Sequence, residues 1–344
     1  MGHVVRFTGP GEVDIAEYAD RPLGPSDVRV RTLYSGISAG TELTAYRGSN
    51  PYLNKRWVQG RRLFVEDTVT FEYPFDALGA EEVGEVCEVG DEVTKVGVGD
   101  LTWGSWGHRS YTVRSEDAVA RRPLPLGVDP IYGVFARIGA VALNAMLDAD
   151  IHIGEYVAVF GQGVPGLIAG QLARLNGGSV IAVDGIPKRL KLAEELGAHH
   201  VIDFTQTKPA EQIKALTGNR GADVSIEITG SYRALNEAIR STAYNSKVVA
   251  SGFFQGDGVG LFLGEEFHHN RIRIVCSQIY GVSPHLDHRW SEERLEQTAM
   301  ALHAGGSLNL RPLVTHVFSM EDADRAYKLL HQNPGEAVQV VLEF

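Results

Sequence analysis

Cysteine is nearly absent from this chain of 344 residues, with Cys87 and Cys276 the only two. Two thiols exclude a disulfide framework and a four-cysteine zinc site. Positive charge is also short. Lys and Arg number 32 against 43 Asp and Glu, a formal net charge of −11. That balance argues against nucleic acid or an anionic membrane surface as the main partner, because both require a basic face. No apolar run reaches the roughly 18 residues of a membrane-spanning helix. The opening Met-Gly-His-Val-Val-Arg-Phe lacks a charged segment followed by a long apolar one, so secretion is not expected and a reducing cytoplasm is. Low-complexity segments and solenoid-length repeats are missing as well.

Glycine, by contrast, is abundant. Its 39 residues exceed the usual share of about 7% and imply many tight turns and close backbone approaches. The length suggests two domains, and the pattern changes character along the chain. The first part reads as strands joined by turns. Residues 27–34 and 83–90 alternate apolar and polar residues, the period of a half-buried strand. Turns are marked at Gly90-Asp91 and Gly97-Val-Gly-Asp100, and Ser110–Arg114 is a further short strand. No helical stripe is legible before Pro130, so this part is expected to be a small antiparallel β-barrel. From Glu155 to Cys276 short apolar runs alternate with helical stretches, the βαβ signature of a parallel sheet. Strands are expected at 156–160, 179–183, 222–227, 247–251 and 271–276, with helices at 164–175 and 188–196. Beyond a helix at 292–303, strands at 312–318 and 338–344 flank a helix at 321–330, a tail expected to rejoin the first domain.

One motif carries chemistry by itself. Gly161-Gln-Gly-Val-Pro-Gly166 follows an apolar strand and opens a helix, and Asp184 ends the next strand. In this setting Gly161 makes the tight turn, Gly163 admits a pyrophosphate close to the backbone, and Gly166 lets helix pack on strand. The helix start at Val164 and Pro165 offers unpaired N–H groups to the phosphates. Asp184 would accept hydrogen bonds from the adenosine ribose and repel a 2′-phosphate, which favours NAD(H) over NADP(H). Lys188 and Arg189 cut the other way, since either could pair with that phosphate.

Ser35-Gly-Ile-Ser-Ala-Gly-Thr-Glu42, Leu78-Gly-Ala-Glu-Glu-Val-Gly-Glu-Val86, Val96-Gly-Val-Gly-Asp100 and the glycine fingerprint occur in this order. Together they resemble the medium-chain dehydrogenase/reductase superfamily, the alcohol dehydrogenase fold, over nearly the whole chain. The first run is most similar to a zinc-less branch typified by bacteriochlorophyllide dehydrogenase and by sugar or natural-product dehydrogenases. The resemblance implies an α/β protein. A GroES-like antiparallel β-barrel domain would span 1–125, a doubly wound Rossmann domain 126–300, and a return to the barrel 301–344. Zinc-dependent members place a cysteine where this chain has Ser38 or Ala39, and a histidine where it has Ala80, while Glu81 remains. One carboxylate cannot hold catalytic zinc, which takes three protein ligands, so no zinc is expected. Ser38, Thr41 and Glu81 should then line the region the metal would occupy, with Glu81 a base if burial raises its pKa. Glu81 could equally pair with an arginine.

His108 is a further candidate proton carrier, or else a surface group at a strand end. Thr229, Gly252, Phe253 and Ser277, at the carboxyl ends of strands, are expected near the cofactor. Cys87 and Cys276 read as small core residues. Lys55, Arg56, Arg61 and Arg62 either steer an anionic or polyhydroxylated substrate or balance Glu66, Asp67 and Glu72. The expected function is zinc-independent, NAD(H)-dependent interconversion of a secondary alcohol and ketone on a polyol, sugar, cyclitol or natural-product intermediate. An enoyl or quinone reductase and a non-catalytic dinucleotide-binding protein remain alternatives. A homodimer is expected, built on the edge strand at 271–276.

Overall fold

The computed structural model describes residues 1–76 and 78–344. The chain divides into two compact units, residues 1–137 with 314–344, and residues 138–313. The divisions fall later than 125 and 300. The turn of helix at Pro130–Val134 packs on the first unit, where a Cβ on Gly133 would meet Val83 at 2.7 Å. Leu308 and Leu310 are buried within the second.

In the first unit, β1 (Gly2–Gly9) and β2 (Glu12–Tyr18) form a hairpin. Strand β3 (Asp27–Gly36) leads into helix α1 (Ala39–Tyr46). A second hairpin joins β4 (Arg56–Val58) and β5 (Leu63–Val65). Next come β6 (Glu82–Val89), β7 (Leu101–Gly104), β8 (Tyr111–Ser115) and the short helix α2 (Glu116–Ala120). Two helices thus precede Pro130, where none was expected. In α1 five consecutive residues, Glu42 to Tyr46, are buried, so no amphipathic stripe exists to be read.

The second unit contains most of α3 (Phe135–Ala149) and a parallel sheet of β9 (Tyr156–Phe160), β10 (Ser179–Asp184), β11 (His200–Asp203), β12 (Ala222–Glu227), β13 (Thr242–Ala250) and β14 (Arg273–Cys276). Its spatial order is β11-β10-β9-β12-β13-β14, so the order reverses at β9, where doubly wound folds bind ligands. Helices α4 (Val164–Leu175), α5 (Pro187–Glu195), α6 (Pro209–Leu216), α7 (Tyr232–Ser241) and α8 (Glu292–Ala304) complete it. Ala158, Phe160, Ile181, Val183, Ile202, Ile213 and Val248 form an apolar core, as expected of strands covered on both faces. The segment Pro130–Ala149 is long and apolar enough to cross a membrane by composition, but its Phe135, Ala140, Ala142, Ala145 and Met146 are buried in the fold.

The tail then supplies β15 (Val314–Ser319), α9 (Ala323–Gln332) and β16 (Gln339–Glu343) to the first unit. Strand β16 pairs with β15 and β3, giving the order β15-β16-β3-β6-β7, with β8 also on β3.

Both cysteines are exposed, not core residues. Cys87 lies on the outward face of β6, and Cys276 on edge strand β14, where Arg273 and Ile274 are exposed too. Strand β14 also begins two residues later than expected, because Arg271 has φ +52°, a left-handed conformation that breaks a strand.

Candidate active site

Glu81 sits just before β6, and its peptide oxygen accepts a 2.7 Å hydrogen bond from the Gly36 N–H. The side chain is 3% exposed and its Oε2 has no hydrogen-bond partner. Room for that carboxyl exists only because residue 36 lacks a side chain. A Cβ on Gly36 would lie 2.8 Å from Oε2. Burial, then the nearby charges of Glu42 and Glu82, hold the Glu81 pKa well above the ordinary carboxylate range, against a Ser38 hydrogen bond and the Arg137 guanidinium. A carboxyl so placed keeps its proton to higher pH than a free one and can serve as a general acid or base.

Ser38 is half-buried at the start of α1, and its N–H donates to Glu42 Oε1 at 2.8 Å. Thr41 is exposed and therefore does not share Glu81's enclosure. His108 is not a surface group. It is 1% exposed, with Nε2 2.7 Å from Glu42 Oε2 and Nδ1 2.6 Å from Ser35 Oγ. Ser35 donates to Glu82 Oε1 at 3.1 Å, and the Trp106 N–H to Glu82 Oε2 at 2.6 Å. The Tyr327 hydroxyl donates to Glu42. Burial opposes a charge on His108, but Glu42 and Glu82 outweigh it and raise the pKa. Burial and Glu42 push Tyr327 well above the ordinary phenol range. Sequence reading missed Glu42, Glu82 and Tyr327. Glu42 lay within a quoted motif, whereas Tyr327 sits 285 residues away and leaves no local signal.

The second unit places the dinucleotide motif as read. Gly161, with φ +100°, turns directly out of β9. A Cβ on Gly166 would fall 1.8 Å from the Gly161 carbonyl oxygen, whereas one on Gly163 would meet nothing closer than Pro165 Cδ at 3.9 Å. The third glycine is thus closed in by protein and the second opens outward, the cradle a pyrophosphate needs. Val164 and Pro165 form the first turn of α4. Asp184 is buried. Its Oδ2 accepts from the Gln162 N–H at 2.6 Å, and its Oδ1 from the N–H groups of Gly185 and Ile186 at 2.8 and 2.9 Å. This carboxylate ties the glycine loop to the turn after β10, with lone pairs left for a ribose. Arg189 faces it, and burial lowers the Arg189 pKa against the pull of Asp184. Lys188 is exposed.

Thr229 is exposed beside the glycine loop, its Cγ2 2.4 Å from where a Gly161 Cβ would stand. Its N–H and hydroxyl both bond to buried Glu227, the N–H at 2.8 Å. Gly252 packs against Gly230, Phe253 is 42% exposed, and Ser277 is buried. Asn144, missed from sequence, donates from Nδ2 to Ser277 Oγ, Gln278 O and Gly281 O at 3.1–3.4 Å, fixing the loop after β14. On the first unit, Lys55 pairs with Glu66 at 2.9 Å and Arg56 with Asp67 at 3.0 Å, while Arg61 and Arg62 are exposed at the hairpin tip.

The residues at the position of a catalytic zinc do not fit that ion. Ser38, Ala39 and Ala80 offer no thiolate or imidazole, and among the described residues no three His, Cys, Asp or Glu side chains are grouped to hold a metal.

Comparison with known proteins agrees with the fold. A family model described as zinc-binding dehydrogenase matches residues 165–299, a segment that contains neither residues 38–41 nor 80–81. D-guloside 3-dehydrogenase of Escherichia coli is 31% identical, with 98% of each chain covered. Sorbitol dehydrogenase of Halalkalibacterium halodurans is 27% identical over 97% of this chain and 96% of its own. The crystal structure of 2R,3R-butanediol dehydrogenase from Bacillus subtilis superposes with a TM-score of 0.80 at 21% identity, covering 100% of both chains. With a relative of such identity aligned from end to end, the chain belongs to the medium-chain dehydrogenase/reductase superfamily, the alcohol dehydrogenase-like, pyridine-nucleotide-dependent oxidoreductases.

Proposed function

We propose that this protein interconverts a secondary alcohol and a ketone on a polyol, sugar or glycoside, using NAD(H) and no metal. The reading rests above all on Glu81, a buried carboxyl with one oxygen unpartnered and a raised pKa, at a position where zinc has no ligand set. When bound, the nicotinamide supplies the hydride acceptor. The chain must then provide a destination for the hydroxyl proton as the carbinol C–H bond breaks, and Glu81 provides it. In the oxidative direction its carboxylate takes the proton. In the reductive direction its neutral form returns one to the developing alkoxide. The enclosure that raises its pKa also strengthens its interaction with that oxygen. The named activities of the relatives, on a guloside, sorbitol and butanediol, support a polyhydroxylated substrate. Asp184 supports NAD(H), since a 2′-phosphate would meet its charge. The exposed edge of β14 supports a homodimer, in which a second copy continues the sheet.

The test combines metal analysis with one substitution. The purified protein should hold no stoichiometric zinc and keep its activity in chelator. Glu81→Gln should lower turnover by about 10²-fold or more, as loss of a general base does, with NADH affinity within roughly threefold. Tightly held zinc lost together with activity, or near-wild-type turnover in the variant, would overturn the reading. A light-scattering mass of one chain at micromolar concentration would remove the dimer.

A further inference from the structure

Trp103 lies in β7, 4% exposed, and its indole Nε1–H has no hydrogen-bond partner. A phenylalanine would bury a ring there without that orphan, and a buried donor left unmade bears its whole desolvation penalty. The ladder shows what shares its face. Trp103 is opposite Val83 and Gly104 opposite Glu82, so Trp103 stands on the Val83 side of β6. Strand alternation puts Glu81 on that side too. The rest of the unit agrees. Val83 packs on Gly133, and Glu81 feels the charge of Arg137, both from the segment that begins at Pro130. Glu82 faces the other way, toward Ser35 and the Trp106 N–H. Glu81 and Trp103, each carrying a buried and unpartnered polar atom, therefore share one face as diagonal neighbours at the start of β6 and on β7.

We infer that Trp103 is a specificity-determining residue that donates its indole N–H to the hydroxyl beside the reacting one, so that the site recognises vicinal diols. This rests on the reading of Glu81 given above. Diagonal cross-strand neighbours stand roughly 7–8 Å apart at the backbone, within reach of aromatic and long side chains. A bound diol would place one hydroxyl oxygen at hydrogen-bond distance, roughly 2.7–3.0 Å, from each polar end. The indole is a donor only, so its partner must present a lone pair. A carboxyl both accepts and donates, which suits the hydroxyl that changes protonation. A mono-alcohol satisfies Glu81 and leaves Trp103 orphaned, and sites built to bond a hydroxyl discriminate against ligands that lack it.

The probes are 2,3-butanediol, D-sorbitol and 2-butanol, with dissociation constants measured calorimetrically on the NADH-saturated full chain and kcat/KM measured alongside. In wild type, 2,3-butanediol or sorbitol should be favoured over 2-butanol by about 10-fold or more in both quantities. Trp103→Phe should reduce that preference to within about threefold, leave 2-butanol within twofold of wild type, and leave the melting temperature unchanged or raised. If the phenylalanine variant folds poorly, benzothienylalanine incorporated at residue 103 keeps the bicyclic shape and removes only the N–H. A parallel loss for diol and mono-alcohol, an unchanged preference, or a wild type that binds neither diol nor polyol would each overturn the inference. Failure of the Glu81 reading shows separately, as Glu81→Gln with retained turnover, while the preference in Trp103→Phe still reports on the indole.

Discussion

The two units build their sites from different materials. In the second, an apolar cluster lies under the sheet, and the cofactor loop works through backbone N–H groups, two close glycine contacts and one carboxylate. In the first, five buried titratable side chains, Glu42, Glu81, Glu82, His108 and Tyr327, lie close enough to feel one another's charge. A backbone-built site needs particular residues at fixed local spacing, so it leaves a motif. A side-chain network needs only that the fold bring its members together, and its members come from anywhere in the chain. The first kind tolerates no change in shape, and the second no change in charge.

The contrast is sharpest at Gly166. A valine there puts Cβ into the Gly161 carbonyl, so the turn must open. NADH affinity should fall by about 10³-fold or more, or about 4 kcal/mol, by fluorescence titration. Affinity within tenfold of wild type would show the cradle to be adaptable.

In the first unit, His108→Ala leaves Glu42 and Glu82 buried without the imidazole beside them. Breaking a buried pair in this way costs about 3–5 kcal/mol, which urea denaturation should show while NADH binding to the folded fraction is unchanged. The imidazole's pKa is raised in the fold, so its contribution is complete below the unfolded value, near 6.5, and disappears as pH rises through the folded one. The variant's deficit should therefore shrink toward alkaline pH. A deficit independent of pH would show that packing, not charge, holds the network.

Glu81 acts in the same sense. The folded protein keeps its proton where the unfolded chain, titrating near 4.3, has lost it. Wild-type stability should then decline as pH rises above that value, and Glu81→Gln should remove the decline. Glu42, Glu82, Ser38 and Arg137 are the neighbours that set this shift. The rate of alcohol oxidation should rise with pH through the same ionisation and lose that limb in the variant. A variant with an unaltered profile would assign the limb elsewhere.

Smaller effects separate the periphery from both sites. NADH should bind at least about 10-fold more tightly than NADPH, about 1.4 kcal/mol, because of Asp184. Equal affinities would mean that Arg189 prevails. Arg56→Ala removes an exposed ion pair with Asp67 and should change stability by less than about 1 kcal/mol.

Legibility followed the same division. Strands β9, β10 and β12, helix α4 and the glycine loop could be read because apolar runs of strand length alternate with helical periods and end in a motif. Glu81 was legible only through its place in a resemblance, since nothing in the residues around it announces burial. Cys87 and Cys276 misled because composition says a cysteine is usually buried, while the outward face of β6 and the open edge of β14 are properties of strand order. His108 misled in the opposite sense. Its two partners, Glu42 and Ser35, lie 66 and 73 residues away, beyond any local pattern. Helix α1 went unseen because five consecutive residues, Glu42 to Tyr46, are buried and leave no amphipathic stripe.

The position of β16 has a consequence for how the molecule is made. That strand lies between β15 and β3, inside the first unit's sheet, and Tyr327, just ahead of it, reaches Glu42. During synthesis the second unit, continuous from residue 138 to 313, has all of its parts before the first unit does. The ribosome must deliver nearly the whole polypeptide before β3 gains its neighbour and Glu42 its phenol. Until then the nascent first unit waits with a charged interior half assembled, and the nucleotide-binding half is the first able to fold.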